Sequence, residues 1–218
     1  MFWKIFCRLL KIHYLCCTMV DELDLDIDNL YDKQGVPTRG SLLISSPLVG
    51  DTLFMRSVVA MVDNDSEGSM GLIVNRLLPQ TLKDVMPDWL GDNDFPLFIG
   101  GPLHVDSLFF IHTFPVEVIK DSIQLKQGLY FGGNEDDLRS VIKLLPPYCN
   151  RLRFFLGYSG WMPGQLAGEI ENGDWAVTRN YHPDTVMTED YEMWDKVIDI
   201  FGERYRHWHE WPYSPSNN

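Results

Sequence analysis

Cysteine, positive charge and long apolar runs are scarce in this sequence. Four of the 218 residues are Cys, and Cys7, Cys16 and Cys17 lie at the very start. Cys149 stands alone in the remainder. One thiol cannot build an intradomain disulfide framework, which fits a reducing, cytoplasmic compartment. The lack of any C-x-x-C pair excludes a zinc ribbon. No stretch approaches the ~20 apolar residues that a spanning helix needs, so no membrane span is expected. The most apolar run without a charge, Phe95–Val105, is interrupted by Pro96, Gly100, Gly101 and Pro102.

The charge balance excludes more. Eighteen Lys and Arg face 31 Asp and Glu, for a net charge of −13. Lys4, Arg8 and Lys11 all precede Met19 and no acid does, so the chain after Met19 is more acidic still. Such a field repels phosphate backbones, and direct nucleic-acid binding is not expected. The change at Met19 also divides the chain. Residues 1–18 carry a basic stripe among apolar residues, and charges break the core that a signal peptide would need. A membrane-surface helix would explain the stripe. Translation starting at Met19 would explain the change in charge, cysteine and polarity together, so residues 1–18 are expected to be extraneous to the fold. Residues 19–39 read as an acidic arm, 40–202 as the domain, and 203–218 as a loose aromatic and polar tail.

Within the domain, short apolar runs alternate with turn residues. Leu42–Ser45, Ser57–Val62, Met70–Val74, Phe95–Ile99, Leu108–Thr113, Ile123–Leu125, Leu129–Phe131, Leu152–Leu156 and Trp175–Thr178 read as strands, with hairpins at Asn64–Gly68 and between Leu125 and Leu129. Asn134 is placed to cap a helix over Glu135–Leu145, stopped by Pro146 and Pro147. Pro163 suits the first turn of a helix through Glu171. A last helix is expected over Asp190–Phe201, ended by Gly202. This irregular order points to a single compact α+β domain with a mixed, largely antiparallel sheet and flanking helices.

The motifs that carry chemistry are incomplete. Gly157-Tyr158-Ser159-Gly160-Trp161 approaches the nucleophile elbow G-x-S-x-G, but Trp161 stands where the last glycine is required. Gly100-Gly101-Pro102 lacks the spacing of a phosphate loop. His207 and His209 alone do not make a metal site, and no cofactor or metal is expected. Gln165 and Glu169, four apart on one helix, share a face beside Trp161. They read either as a solvated face or as the polar lining of a pocket walled by Tyr158 and Trp161.

Several blocks together resemble the YqgE/AlgH family of bacterial proteins: Gly40–Pro47, Asp51, Phe54, Arg56–Val58, Gly68–Asn75, Gly100–Pro102, Gly157–Trp161, Gly164–Leu166, Glu169 and Trp175. The resemblance implies a compact α+β domain of the bacterial cytosol. The family is often labelled as transcriptional regulators, yet no DNA-reading element is present here. Two functions are carried forward. One is a non-enzymatic regulatory module that binds an unknown small molecule or protein at Asn75, Gly100, Gly101, Pro102, Tyr158, Trp161, Gln165 and Glu169. The other is an enzyme that uses the same cleft, with Glu169 as general base.

Overall fold

The computed structural model describes residues 35–88, 93–144, 150–188 and 192–211. The acidic arm up to residue 34, the Met19 boundary, Pro146, Pro147 and Cys149 lie outside the described residues. Among the described residues, ten strands form a sheet: β1 (Leu42–Ser45), β2 (Val58–Asp65), β3 (Gly68–Ile73), β4 (Leu77–Thr81), β5 (Pro96–Ile99), β6 (Leu103–His112), β7 (Ile123–Lys126), β8 (Leu129–Phe131), β9 (Leu152–Trp161) and β10 (Trp175–Thr178). The described helices are α1 (Leu82–Val85), α2 (Glu135–Ile142), α3 (Gln165–Glu171), α4 (Asp184–Met187) and α5 (Met193–Ile200). The sheet order is β10-β1-β2-β3-β9-β6-β8-β7, and β5 joins β9 beside β4. Among the described residues, every pairing is antiparallel except β5 with β9. The protein is therefore α+β with a mixed, largely antiparallel sheet, as the pattern of short runs implies.

Alternation along β1 explains the layers. Leu42 and Ile44 face one core with Trp194, Val197 and Ile198 of α5. Leu43 faces the other, with Trp161, Leu166 of α3 and Trp175. A strand covered on both faces reads as a continuous apolar run, which is why Leu-Leu-Ile was legible. A third cluster packs Leu138 and Ile142 of α2 under Phe95, Leu97 and Phe154. Asn134 caps α2 as expected, its side chain accepting from the N–H groups of Asp136 and Asp137 at 3.0 and 3.1 Å.

Three expectations fail. Pro163 does not open a helix: α3 begins at Gln165, after Gly164 in a left-handed conformation at its N-cap. The strand at Leu152 does not stop at Leu156. It runs on through Trp161, and Ser69–Gly71 of β3 pairs with the added part. The glycines there serve a strand and not a strand-to-helix turn: Gly157 takes a left-handed φ of 68, and a Cβ on it would lie 2.6 Å from the Gly101 carbonyl oxygen. The residues after Gly202 are not loose over their described part. They form 3-10 turns at Gly202–Arg204 and Arg206–Glu210. Trp208 is buried there and stacks on Trp194 at 6.4 Å. His209 reaches Asp195 of α5 at 3.0 Å. Burial of one large ring outweighs the ordering cost of a short polar segment.

His112 ends β6 with no exposed surface. Its Nδ1 accepts from the Phe114 N–H at 3.2 Å, so the proton sits on Nε2, 3.0 Å from the Gly132 carbonyl. Burial pushes its pKa below the usual 6.5. The unfolded chain then takes up this proton near pH 6.5 while the folded chain still refuses it, so stability is full above that pH and declines as pH falls toward the lower folded value. Thermal melts between pH 7.5 and 5 are expected to show this decline, and His112→Gln to flatten it.

Candidate functional site

The C-terminal half of β9 delivers Trp161 to the start of α3, and the turn after α3 delivers Trp175. Both indoles are buried and meet edge to face at 5.9 Å. Phe54 packs edge-on against Trp175 at 5.7 Å. Indole N–H groups in such a position need acceptors. One carboxylate oxygen of Glu169 supplies both, accepting from Trp161 Nε1 and Trp175 Nε1 at 2.8 Å each. Its other oxygen accepts from Gln165 Nε2 at 2.9 Å. The Gln165 carbonyl in turn accepts from the Met162 N–H at 3.0 Å, closing the turn that precedes α3. The i, i+4 spacing therefore produces a clasp that holds two tryptophans.

The clasp borders a cleft of about 450 Å³, lined by Leu48–Asp51, Phe54, Pro102, Leu103, Gly160, Trp161, Gln165, Glu169, Asp174 and Trp175. A second cleft of about 530 Å³ shares Leu103, Gly160 and Trp161 and extends to Asp63, Asp65, Glu67 and Tyr158. Among the described lining residues of both there is no Lys, Arg, His or Cys. An aromatic wall with acids and no cations favours a positively charged group and repels anions. Among the described residues, no group of His, Cys, Asp and Glu is arranged to hold a metal ion.

Of the eight residues singled out from the sequence, Pro102, Trp161, Gln165 and Glu169 share the first cleft. Tyr158 lines the second. The other three lie apart from both linings. Gly100 is bound into the sheet: its N–H donates to the Leu156 carbonyl, and its own carbonyl accepts from Ile73 N–H and Ser159 Oγ. Gly101 lies against the Tyr158 backbone, where a Cβ would be 2.2 Å from the carbonyl carbon. Asn75 ties two backbone groups, accepting from Val58 N–H and donating to the Arg56 carbonyl at 2.9 Å each. Arg56 has φ 51, and Asn75 holds that conformation at the carbonyl. Sequence reasoning missed Leu48, Asp174 and the role of Gly160. It noted Asp51, Phe54 and Trp175 within the family blocks, and Trp175 also as the start of a strand, but assigned none of them to the site; their co-occurrence with Glu169 was the available signal.

Fold and site together define a class: an α+β protein with an acid- and aromatic-lined cleft across the junction of its central strands. Within that class the chain belongs to the AlgH-like family, whose model matches residues 42–206. It is 38% identical over 197 residues to a UPF0301 protein of Bacteroides fragilis, covering 90% of this chain and 99% of the relative. It is 35% identical over 196 residues to a UPF0301 protein of Bacteroides thetaiotaomicron, at 90% and 99% coverage. The solution structure of the AlgH protein from Pseudomonas aeruginosa superposes with a TM-score of 0.62 at 25% identity, over 78% of this chain and 93% of that one. A crystal structure of a Corynebacterium diphtheriae protein gives 0.67 at 23% identity, over 83% and 97%.

Proposed function

We propose that this chain is a non-enzymatic binding module of the cytosol, and that its cleft takes a positively charged group of a small molecule or protein. Any regulatory role then runs through that partner and not through direct contact with nucleic acid. The observation that carries the reading is the lining: Asp51, Glu169 and Asp174 surround Phe54, Trp161 and Trp175, with no cation among the described lining residues. A guanidinium or ammonium group over an aromatic face gains about 0.5–2 kcal/mol, more as it is desolvated. The overall charge of −13 steers such a group inward. The sparse cysteines suit a reducing compartment. The alternative of Glu169 as general base is less well served, because both its oxygens already accept hydrogen bonds from the clasp.

Tryptophan fluorescence tests the reading with acetyl-arginine amide as probe and inorganic phosphate as control. Saturable quenching by the first and none by the second is expected. The pair D51N/D174N removes two charges and keeps the acceptor that Asp51 offers to the Leu53 N–H. It is expected to weaken binding about tenfold with little change in stability, at roughly 0.5–1 kcal/mol per charge. Phosphate binding in place of the probe would reverse the assignment.

A further inference from the structure

The two clefts meet at one point. Leu103, Gly160 and Trp161 line both, so the outward surface of β9 at Gly160 forms the floor between them. A side chain there would close the passage: a Cβ on Gly160 would lie 2.8 Å from Leu103 Cδ1 and 3.2 Å from the Tyr158 ring. Gly160 is not among the glycines with positive φ, so backbone conformation does not require glycine here. The open passage is what its missing side chain provides.

We infer that the two clefts are one groove, and that its occupant is an extended segment of a partner protein in which basic and apolar residues are interspersed. This rests on the reading of the first cleft as a cation site and extends it. Charge selects the basic character. Asp51, Asp174 and Glu169 stand at one end, and Asp65 and Glu67 at the other, where Asp63 is already paired with Arg39 at 2.9 Å. The rim selects a protein segment over a small amine. Leu48, Leu103 and Met162 expose 66%, 42% and 74% of their surface along the groove. A small amine leaves them in water, whereas the stems of Lys and Arg and the apolar residues between them cover such side chains. The unbranched Met162 adapts to different occupants. Two charge-bearing ends joined by one passage reward a ligand that reaches both, since the second contact is made at high effective concentration.

The test measures binding of two probes to the full chain by calorimetry: acetyl-arginine amide, and a ten-residue amide of alternating Arg and Leu. The peptide is expected to bind at least thirtyfold more tightly than the single residue. D65N/E67Q, altered only in the far cleft, is expected to remove about tenfold of the peptide's affinity and leave the single residue's unchanged. Gly160→Ala is expected to cost the peptide at least tenfold, because Leu103 is pushed across the passage. The nearer clash is with the end of the flexible Leu103 side chain, and the Tyr158 ring has to give by only a few tenths of an ångström, so the variant is expected to keep its fold, as circular dichroism will report. If Gly160→Ala unfolds, D65N/E67Q decides alone. Equal affinities of the two probes, or an intact peptide affinity in D65N/E67Q, overturn the groove while the single cation site stands. Failure of both probes to bind removes the cation site and the groove with it.

Discussion

Glu169→Ala is expected to lower the stability of the domain by about 3 kcal/mol, since hydrogen bonds to a charged acceptor are each worth roughly 1.5–3 kcal/mol and water replaces part of what is lost. The carboxylate is the acceptor for two buried indole N–H groups and one amide. Without it, Trp161 and Trp175 keep their apolar burial and lose both polar partners. E169Q separates charge from geometry. Its carbonyl still accepts both indoles, but its NH₂ group meets the NH₂ of Gln165. Reversing Gln165 to relieve this would break its bond from the Met162 N–H. E169Q is therefore expected to lose about half as much as the alanine variant, and Gln165→Ala less again, at most about 1 kcal/mol. Urea denaturation followed by tryptophan emission reads all three. An alanine variant as stable as the parent would show that Glu169 does not hold the tryptophans, and would return it to the pool of free carboxylates available for acid–base work.

Gly101→Ala carries a penalty of a different origin. Its Cβ would sit 2.2 Å from the Tyr158 carbonyl carbon and 2.3 Å from the Ser159 nitrogen. Both are backbone atoms of a strand paired with its neighbours, so nothing flexible can yield. Overpacking usually costs about 1–3 kcal/mol, and a backbone clash belongs at or beyond the upper end. A loss of at least about 3 kcal/mol is expected, or failure to accumulate folded protein. Gly168→Ala is the internal control. Gly168 lies inside α3, and a Cβ there meets nothing within 4 Å. Replacing a helical glycine by alanine in open space is expected to stabilise by roughly 0.5–1 kcal/mol. Opposite signs at the two glycines would confirm that close approach and the positive φ of 157 at Gly101, and not glycine content, explain the Gly-Gly-Pro segment.

Local chemistry made much of the fold legible. The β2–β3 and β7–β8 hairpins, the Asn134 cap and the α+β class follow from alternation, turn residues and capping groups that act over a few positions. The i, i+4 pairing of Gln165 with Glu169 was equally local, and α3 realises it. What lay beyond the sequence were contacts between distant segments. Gly-Tyr-Ser-Gly-Trp suits a strand-to-helix turn and a tightly packed strand alike, and only the approach of Gly100 and Gly101 decides between them. Asn75 has the chemistry of a ligand group, but Arg56 and Val58, close by only through β2–β3 pairing, occupy it. Trp208 has the appearance of a loose tail until Trp194 offers a stacking partner. By itself the sequence determined the charge, the class and the helix that carries Glu169, because these depend on composition and on neighbours along the chain. The tertiary structure alone decided which tryptophans Glu169 clasps and which clefts meet at Gly160, because those depend on side chains brought together from β6, β9, β10 and the Leu48–Asp51 loop.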